Sequence, residues 1–344
     1  MSLQIINPLD CPSWDTLVLT QDGPSVFSMS GWAKVLHESY GYQPVYCQRI
    51  RRGVQTALLP VMEVRSILTG VRAVSMPFSD YCEIQSENQD DFWLMINEVI
   101  GYGRKRGWRY LELRGGQQYF SGKLHCKSFT RHTLRLKEDK RDLLNGFRGS
   151  TVRNIKKAVE SGVEASISTS LESLHTYYQL HCLTRRRQGV PPQPLNFFRN
   201  IHNYILSKGH GFVVIATFNR IPIAGAVYFH FGREAVYKFG ASDTNYQHLR
   251  ANNLVMWEAI KWFALHGYSS FSFGRTDIGH EGLRQFKNGW GTCESVQNYY
   301  RINVADGRFI SRPGSASFKY DNFIKQLPAL FQSLIGNTFY RHMG

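Results

Sequence analysis

Gly107-Trp108-Arg109-Tyr110-Leu111-Glu112-Leu113-Arg114-Gly115 and Gly267-Tyr268-Ser269-Ser270-Phe271-Ser272-Phe273-Gly274-Arg275 give the same local signal twice in one chain. Each opens on a glycine where helical spacing stops and strand-like alternation begins. Before the first, Phe92, Met95, Ile96, Val99 and Ile100 recur on one face of residues 91–106. Residues 252–266 show a helical pattern before the second. Glycine supplies the left-handed residue that a helix C-terminus favours, and period-two alternation is a strand's signature. The preceding segments correspond as well. Residues 46–51, an Arg52-Gly53 turn and residues 55–64 read as one strand pair. Residues 212–217, an Asn219-Arg220 turn and residues 221–230 read as another, continuing through 235–240. Helix, antiparallel strands, helix, strand is an α/β chain in α+β order. Its repetition predicts two tandem domains of one mixed fold, with mostly antiparallel sheets flanked by helices.

The boundary is expected near residue 140, in the polar stretch Lys137-Glu138-Asp139-Lys140-Arg141. Residues 1–140 then form the first domain, 141–305 the second, and 306–344 an extension. Within that extension, 317–334 has helical apolar spacing broken at Pro328.

Hydrophobic and aromatic contents of 42% and 14% in 344 residues supply two cores. No apolar run is long enough for a spanning helix. Met1-Ser2-Leu3-Gln4-Ile5-Ile6-Asn7-Pro8 lacks the basic-then-apolar order of a secretory signal. The six cysteines (11, 47, 82, 126, 182, 293) are scattered, which favours reduced thiols in a cytoplasmic protein over a disulfide frame or zinc site. A net charge of +15 points to an anionic partner: RNA, a phosphorylated carrier, or the inner membrane surface. DNA is not among the expected partners. Arg49-Ile50-Arg51-Arg52, Arg104-Lys105-Arg106 and Arg185-Arg186-Arg187 are the local basic runs, each open to reading as a solvated face or an anion contact.

Metal motifs, a phosphate loop ending in Gly-Lys-Ser/Thr and a Gly-x-Ser-x-Gly elbow are all missing from the sequence. Two tracts carry chemistry. Tyr237-Lys238-Phe239-Gly240-Ala241-Ser242 leads through a loop to Arg250-Ala251-Asn252-Asn253, where a helix start offers N–H groups to an anion or carbonyl; Asn252 as N-cap explains the same pattern. The second tract, Gly282-Leu283-Arg284-Gln285-Phe286-Lys287-Asn288-Gly289-Trp290-Gly291, follows Phe273-Gly274-Arg275. Taken alone, Lys287 reads either as a solvated helix-end lysine or as a fixed cation where a carbonyl oxygen becomes an oxyanion.

These residues, in order, resemble the FemABX-type peptidyltransferases, which carry two tandem GNAT-like acyltransferase domains. The matching pieces begin with Phe27-Ser28-Met29-Ser30-Gly31-Trp32, Leu59-Pro60 and Ser75-Met76-Pro77-Phe78-Ser79-Asp80-Tyr81. They continue with Thr184-Arg185-Arg186-Arg187-Gln188-Gly189-Val190-Pro191, the Tyr237–Ser242 tract, and Arg250-x-Asn252-Asn253-Leu254-x-x-Trp257-Glu258-Ala259-Ile260. Phe273-Gly274-Arg275 and Gly282-Leu283-x-x-Phe286-Lys287-x-x-Trp290-Gly291 complete the set, which spans nearly the whole chain. The resemblance is nearest to the branch associated with exopolysaccharide and envelope systems. It implies transfer of an aminoacyl group from tRNA to an amine of a nucleotide- or lipid-linked precursor, with Lys287 stabilising the reacting carbonyl. Two departures bear on the acceptor. Leu36 stands where nucleotide-binding members have a lysine, and Gln193 and Phe197 stand where they have an Arg-x-x-x-Tyr pair. Lys34, Arg186 or Arg187 would then have to supply the missing cations. A third departure bears on the donor. His248-Leu249-Arg250-Ala251-Asn252-Asn253 lacks the glycines of a coenzyme A pyrophosphate loop.

The expected protein is therefore a cytoplasmic N-acyltransferase, with inner-membrane contact at its periphery, acting on a cell-envelope precursor of peptidoglycan or exopolysaccharide. Lys287 is the expected catalytic residue, and Arg186, Arg187, Tyr237, Lys238, Arg250, Asn253 and Arg275 the expected substrate contacts. No bound cofactor is expected; the donor is aminoacyl-tRNA or an acyl-CoA or acyl-carrier thioester. Two alternatives stand beside it: a non-catalytic relative that holds RNA or a phosphorylated glycan carrier, and a conventional CoA-dependent acetyltransferase. Asp243, Glu258 and Asp277 are the carboxylates nearest in sequence, each open to reading as a cap or surface group.

Overall fold

The computed structural model describes residues 3–21, 23–52, 54–311, 336 and 338–344. The helix expected over 317–334 lies outside them. The described residues of Met1–Phe129, Val296–Phe318 and Thr338–Gly344 form one compact unit, and those of Thr130–Ser295 and Lys319–Asn337 a second. The division thus falls at 129/130 rather than near 140, and residues 296–305 return to the first unit. The reason is long-range pairing: Tyr300–Asn303 run antiparallel to Tyr110–Leu113.

In the first unit, Gln89–Arg106 is a helix whose start is capped by Asn88 Oδ1 accepting from the Asp91 N–H at 2.8 Å. Phe92, Met95, Ile96 and Val99 pack against Trp108, Leu111 and Leu113. Gly107 stops the helix at φ +72. The strand after it pairs parallel with Gly70–Val74, through Ala73↔Leu111 and Val74↔Glu112. The stretch 55–64, expected as one strand, is two: Val54–Leu59 pairs with Tyr46–Arg51, and Met62–Ser66 pairs with Gly70–Val74 in another sheet. Pro60 sits between them, where its missing N–H ends one ladder before the next begins.

The second unit follows the same plan without that break. Glu164–Ser168, Gly211–Phe218, Ile221–Phe231 and Glu234–Ser242 form an antiparallel meander. The helix Ala251–Leu265 then crosses to Ser270–Asp277, which runs parallel to Glu234–Ser242. That helix is buried on most of its circumference, from Leu254, Val255 and Met256 round to Ile260 and Phe263. Such a helix needs partners on several sides, and it finds them in Phe212, Tyr228, Phe271 and Trp290. Among the described residues, no helix is long and apolar enough to cross a membrane.

Two histidines, His181 and His230, are expected to make the second unit acid-sensitive. His181 Nε2 lies 2.8 Å from Gln193 Oε1, and Tyr177 Oη lies 3.4 Å from Nδ1. Burial, aided by the Arg185 charge, pushes the imidazole down to about 3; burial also pushes His230 down to about 4. The unfolded chain therefore binds more protons below pH ~6.5. Stability is expected to be complete above that pH and to fall as acid is added toward pH 4. Urea midpoints measured at pH 7 and pH 5 check this, with His181→Gln flattening the dependence.

Candidate active site

Strands Glu234–Ser242 and Ser270–Asp277 are parallel, but their register pairs only Glu234↔Ser270, Ala235↔Phe271 and Val236↔Ser272. Beyond those pairs, Tyr237–Ser242 and Phe273–Asp277 run on without a shared register. Parallel strands whose carboxyl ends part in this way leave backbone groups facing an opening, the usual place for a ligand in such sheets. Tyr237 and Lys238 stand on one border of it, Gly274 and Arg275 on the other.

Three elements converge where Glu234–Ser242 ends. The Ser242 N–H donates to Thr184 Oγ1 at 3.0 Å, and that hydroxyl donates to the Ser242 carbonyl at 3.3 Å. Asn252 Nδ2 donates to Ser242 Oγ at 3.1 Å. The strand end is thereby tied to the last turn of the helix Leu171–Gln188, which carries exposed Arg186 and Arg187, and to the first turn of Ala251–Leu265. Asn252 is not the N-cap considered for it. Arg250 holds that position at φ +61, makes no side-chain cap bond, and leaves the helix start to its backbone. The Asn253 N–H donates to the Arg250 carbonyl at 2.9 Å, and the Asn253 side chain faces inward at 8% exposure. Tyr237 is half-buried, its hydroxyl lying over Gly240 so closely that a Cβ there would stand 1.8 Å away. Burial raises its phenol to about 12, so it remains a hydrogen-bond donor at neutral pH.

Lys287 is not a solvated helix-end lysine. It sits on the helix Glu281–Asn288 at 2% exposure, and Nζ donates to the Arg275 carbonyl at 2.9 Å and the Gly274 carbonyl at 3.3 Å. An ammonium fixed against that strand places positive charge beside Gly274 and Arg275, past the last residue paired with Glu234–Ser242. A network holds the end of its helix. Arg284 makes a bidentate pair with Glu294 at 2.8 and 2.7 Å, and Glu294 accepts from Asn288 Nδ2 at 2.6 Å. Asn288 Oδ1 then faces His132 Nδ1 at 3.2 Å, and Thr292 Oγ1 donates to the Lys287 carbonyl at 3.3 Å. Burial and the Lys287 charge lower the His132 imidazole, which stays neutral at physiological pH.

His132 and Glu294 carried no local signal in the sequence, since each matters only through a partner brought in by the fold; Thr184 and Ser242 lay within tracts singled out there, but their bond to each other did not show. The residues at the two departures are turned inward. Leu36 and Phe197 are fully buried, and Gln193 is spent on His181. Lys34 is exposed on the first unit's helix Ser30–Tyr40. The carboxylates fall to structural duties: Asp243 caps the turn at Asn245, Glu258 pairs with Lys261, and Asp277 is exposed at the strand end. Of the basic runs, Arg49 and Arg51 in Arg49-Ile50-Arg51-Arg52 are engaged by Asp91, Glu98 and Glu87.

The model of the acetyltransferase (GNAT) domain matches residues 145–288, which include the opening and Lys287. The lipid II:glycine glycyltransferase of Staphylococcus haemolyticus (strain JCSC1435) is 34% identical over 80 residues, 22% of this chain and 19% of that protein. The same-named protein of Staphylococcus epidermidis (strain ATCC 12228 / FDA PCI 1200) is 33% identical over 78 residues. These matches thus span about a fifth of the relatives' length, 19% in each. The crystal structure of FemX superposes with a TM-score of 0.68 at 15% identity, covering 87% of this chain and 97% of that one. A tandem GNAT protein from the clavulanic acid biosynthesis pathway superposes at 0.57 and 8% identity, covering 88% and 98%. The fold is a tandem GNAT fold.

Proposed function

We propose that this FemAB-like chain is an N-acyltransferase that moves an aminoacyl or acyl group onto an amine of a lipid-linked cell-envelope precursor. The observation that carries the reading is the Lys287 ammonium held against Gly274 and Arg275, on the border where two parallel strands part. The GNAT match and the shared segment with lipid II:glycine glycyltransferases support the same chemistry.

In the proposed reaction a neutral amine attacks the ester or thioester carbonyl of the donor, held in the opening. The new C–N bond forms as the carbonyl oxygen gains negative charge, and the Lys287 charge stabilises that oxyanion by about 3 kcal/mol. The C–O or C–S bond then breaks, and the amine proton leaves with the donor's alcohol or thiol. With Asp243 and Glu258 engaged elsewhere, the reading assigns that proton transfer to the substrates themselves. Tyr237, Lys238, Arg250, Asn253 and Arg275 border the donor, and Arg186 and Arg187 meet its phosphates or those of the acceptor.

The donor is assigned to two classes. Aminoacyl-tRNA is the donor the FemABX resemblance implies, and an acyl-CoA thioester is the one suited to a GNAT domain and to the helix start at Ala251, which lacks a side-chain cap. Purified protein incubated with an envelope-precursor extract and each donor in turn, read by mass spectrometry, tests the proposal. A mass increase on the precursor with one donor supports it. No transfer with any donor, alongside salt-sensitive RNA binding, points instead to a binding protein of this fold.

Arg186→Ala/Arg187→Ala is expected to weaken binding of the anionic substrate about tenfold and to flatten its salt dependence, with thermal stability unchanged because both side chains are exposed. Affinities measured across a salt series check this. An unchanged slope would return both residues to the solvated face.

A further inference from the structure

We propose that the hairpin tip at residues 66–70 of the first unit is an interfacial anchor, which places Ile67 and Leu68 in the surface of an anionic phospholipid bilayer. The tip joins Met62–Ser66 to Gly70–Val74 and points two aliphatic side chains at solvent. Ile67 is 94% exposed, more than any other large hydrophobic side chain among the described residues, and Leu68 beside it is 69% exposed.

The tip is built to stay in that posture. Ser66 Oγ accepts the N–H groups of Leu68 at 3.1 Å and Thr69 at 3.0 Å, and the same oxygen lies 2.9 Å from His342 Nδ1. Gly70 completes the turn at φ +77, with the Arg109 side chain packed so tightly that a Cβ there would meet its Cδ at 2.7 Å. Arg109 Nη1 also donates to the Thr69 carbonyl at 3.3 Å. A fixed turn that shows two adjacent aliphatics to water gains no burial from them within the fold, and an apolar surface outside it would supply that burial.

The surroundings state which outside. Arg65, Arg104, Lys105, Arg106 and Arg109 are all exposed. The acidic group placed among them, Glu63, is fully buried and bonded to Arg65, Arg106 and Trp108. Asp306 is paired with Arg308 at 3.9 Å. Aliphatic side chains flanked by Arg65 and Arg109, with further cations at the end of Gln89–Arg106, match a bilayer with anionic headgroups, where weak apolar insertion and electrostatic attraction act together. Nucleic acid would engage the cations and leave the aliphatics unused. The inference rests on the proposed lipid-linked acceptor for its purpose, but the contact itself is measurable without any reaction.

The test is cosedimentation of the full chain with extruded vesicles of phosphatidylglycerol and phosphatidylcholine in equal parts, against phosphatidylcholine alone. Wild type should pellet with the anionic vesicles and remain in solution with the neutral ones. Ile67→Ser/Leu68→Ser should lower partitioning about tenfold or more at an unchanged melting midpoint, since both positions are exposed. Arg65→Gln/Lys105→Gln should lower it and weaken its salt dependence, since two of the five cations are removed. Equal pelleting of wild type and Ile67→Ser/Leu68→Ser overturns the anchor, as does absence of vesicle binding. Binding of single-stranded RNA that falls with Arg65→Gln/Lys105→Gln, with vesicles ignored, reassigns the patch to nucleic acid. Vesicle binding without acyl transfer to any acceptor leaves the anchor standing and removes the proposed activity instead.

Discussion

Lys287→Met is expected to lower turnover roughly a hundredfold or more, with much less change in substrate binding, because it keeps the bulk and removes the charge that would face the oxyanion. The structure gives the substitution a second effect. The Gly274 and Arg275 carbonyls lose a donor in a buried setting, a cost of about 1–3 kcal/mol. The two effects separate in measurement: the kinetic one appears in kcat at temperatures well below the melting midpoint, the structural one in the midpoint itself. Lys287→Arg should recover only part of the rate, since a planar guanidinium cannot take the position of a compact ammonium. If Lys287→Met loses stability but keeps kcat, the residue is a tether for the strand end and the catalytic assignment fails.

The next largest effect is expected at Gly291. Its φ of +69 is one that side chains other than glycine's rarely adopt, and a Cβ there would stand 2.4 Å from the Gly146 carbonyl oxygen. The obstacle is backbone, so it cannot swing aside. Gly291→Ala should therefore cost about 3 kcal/mol or more, combining left-handed strain with overpacking. The turn it disturbs carries Trp290, fully buried against Phe147 and Phe273, and follows directly on the Lys287 helix. Gly282→Ala on that helix, with open space around the new methyl, is the control and should leave stability unchanged or slightly raised. Urea midpoints of both variants decide it. A Gly291→Ala protein as stable as its parent would mean that the Gly146 backbone yields.

Local chemistry was readable along the chain wherever one residue type fixes one conformation. Gly107 and Gly267 both adopt positive φ, +72 and +75, and end the helices they were expected to end. The apolar face from Phe92 to Ile100 is buried as its spacing required. Lys287 was identified as the residue of interest, yet its burial was not, because the carbonyls that hold it come from a strand twelve or more residues away. Asn252 met the rule for a cap and instead reaches across to Ser242, a competition that local propensity cannot see. Gln193 looked like a missing cation; its role emerges only beside His181. What escaped the sequence is what depends on register between distant segments.

The return of Tyr300–Asn303 to the edge of Tyr110–Leu113 sets an order of events during synthesis. Chains emerge from the ribosome amino end first, and domains generally fold as they are completed. Here the unit that starts first must wait, its last strand arriving after nearly the whole second unit has been made. Until then Tyr110–Leu113 has an unfilled ladder on that side, the kind of strand that recruits neighbours. A fragment ending near residue 140 is therefore a poor way to produce the first half. Expression that joins 296–311 to it through a short linker would suit its topology better.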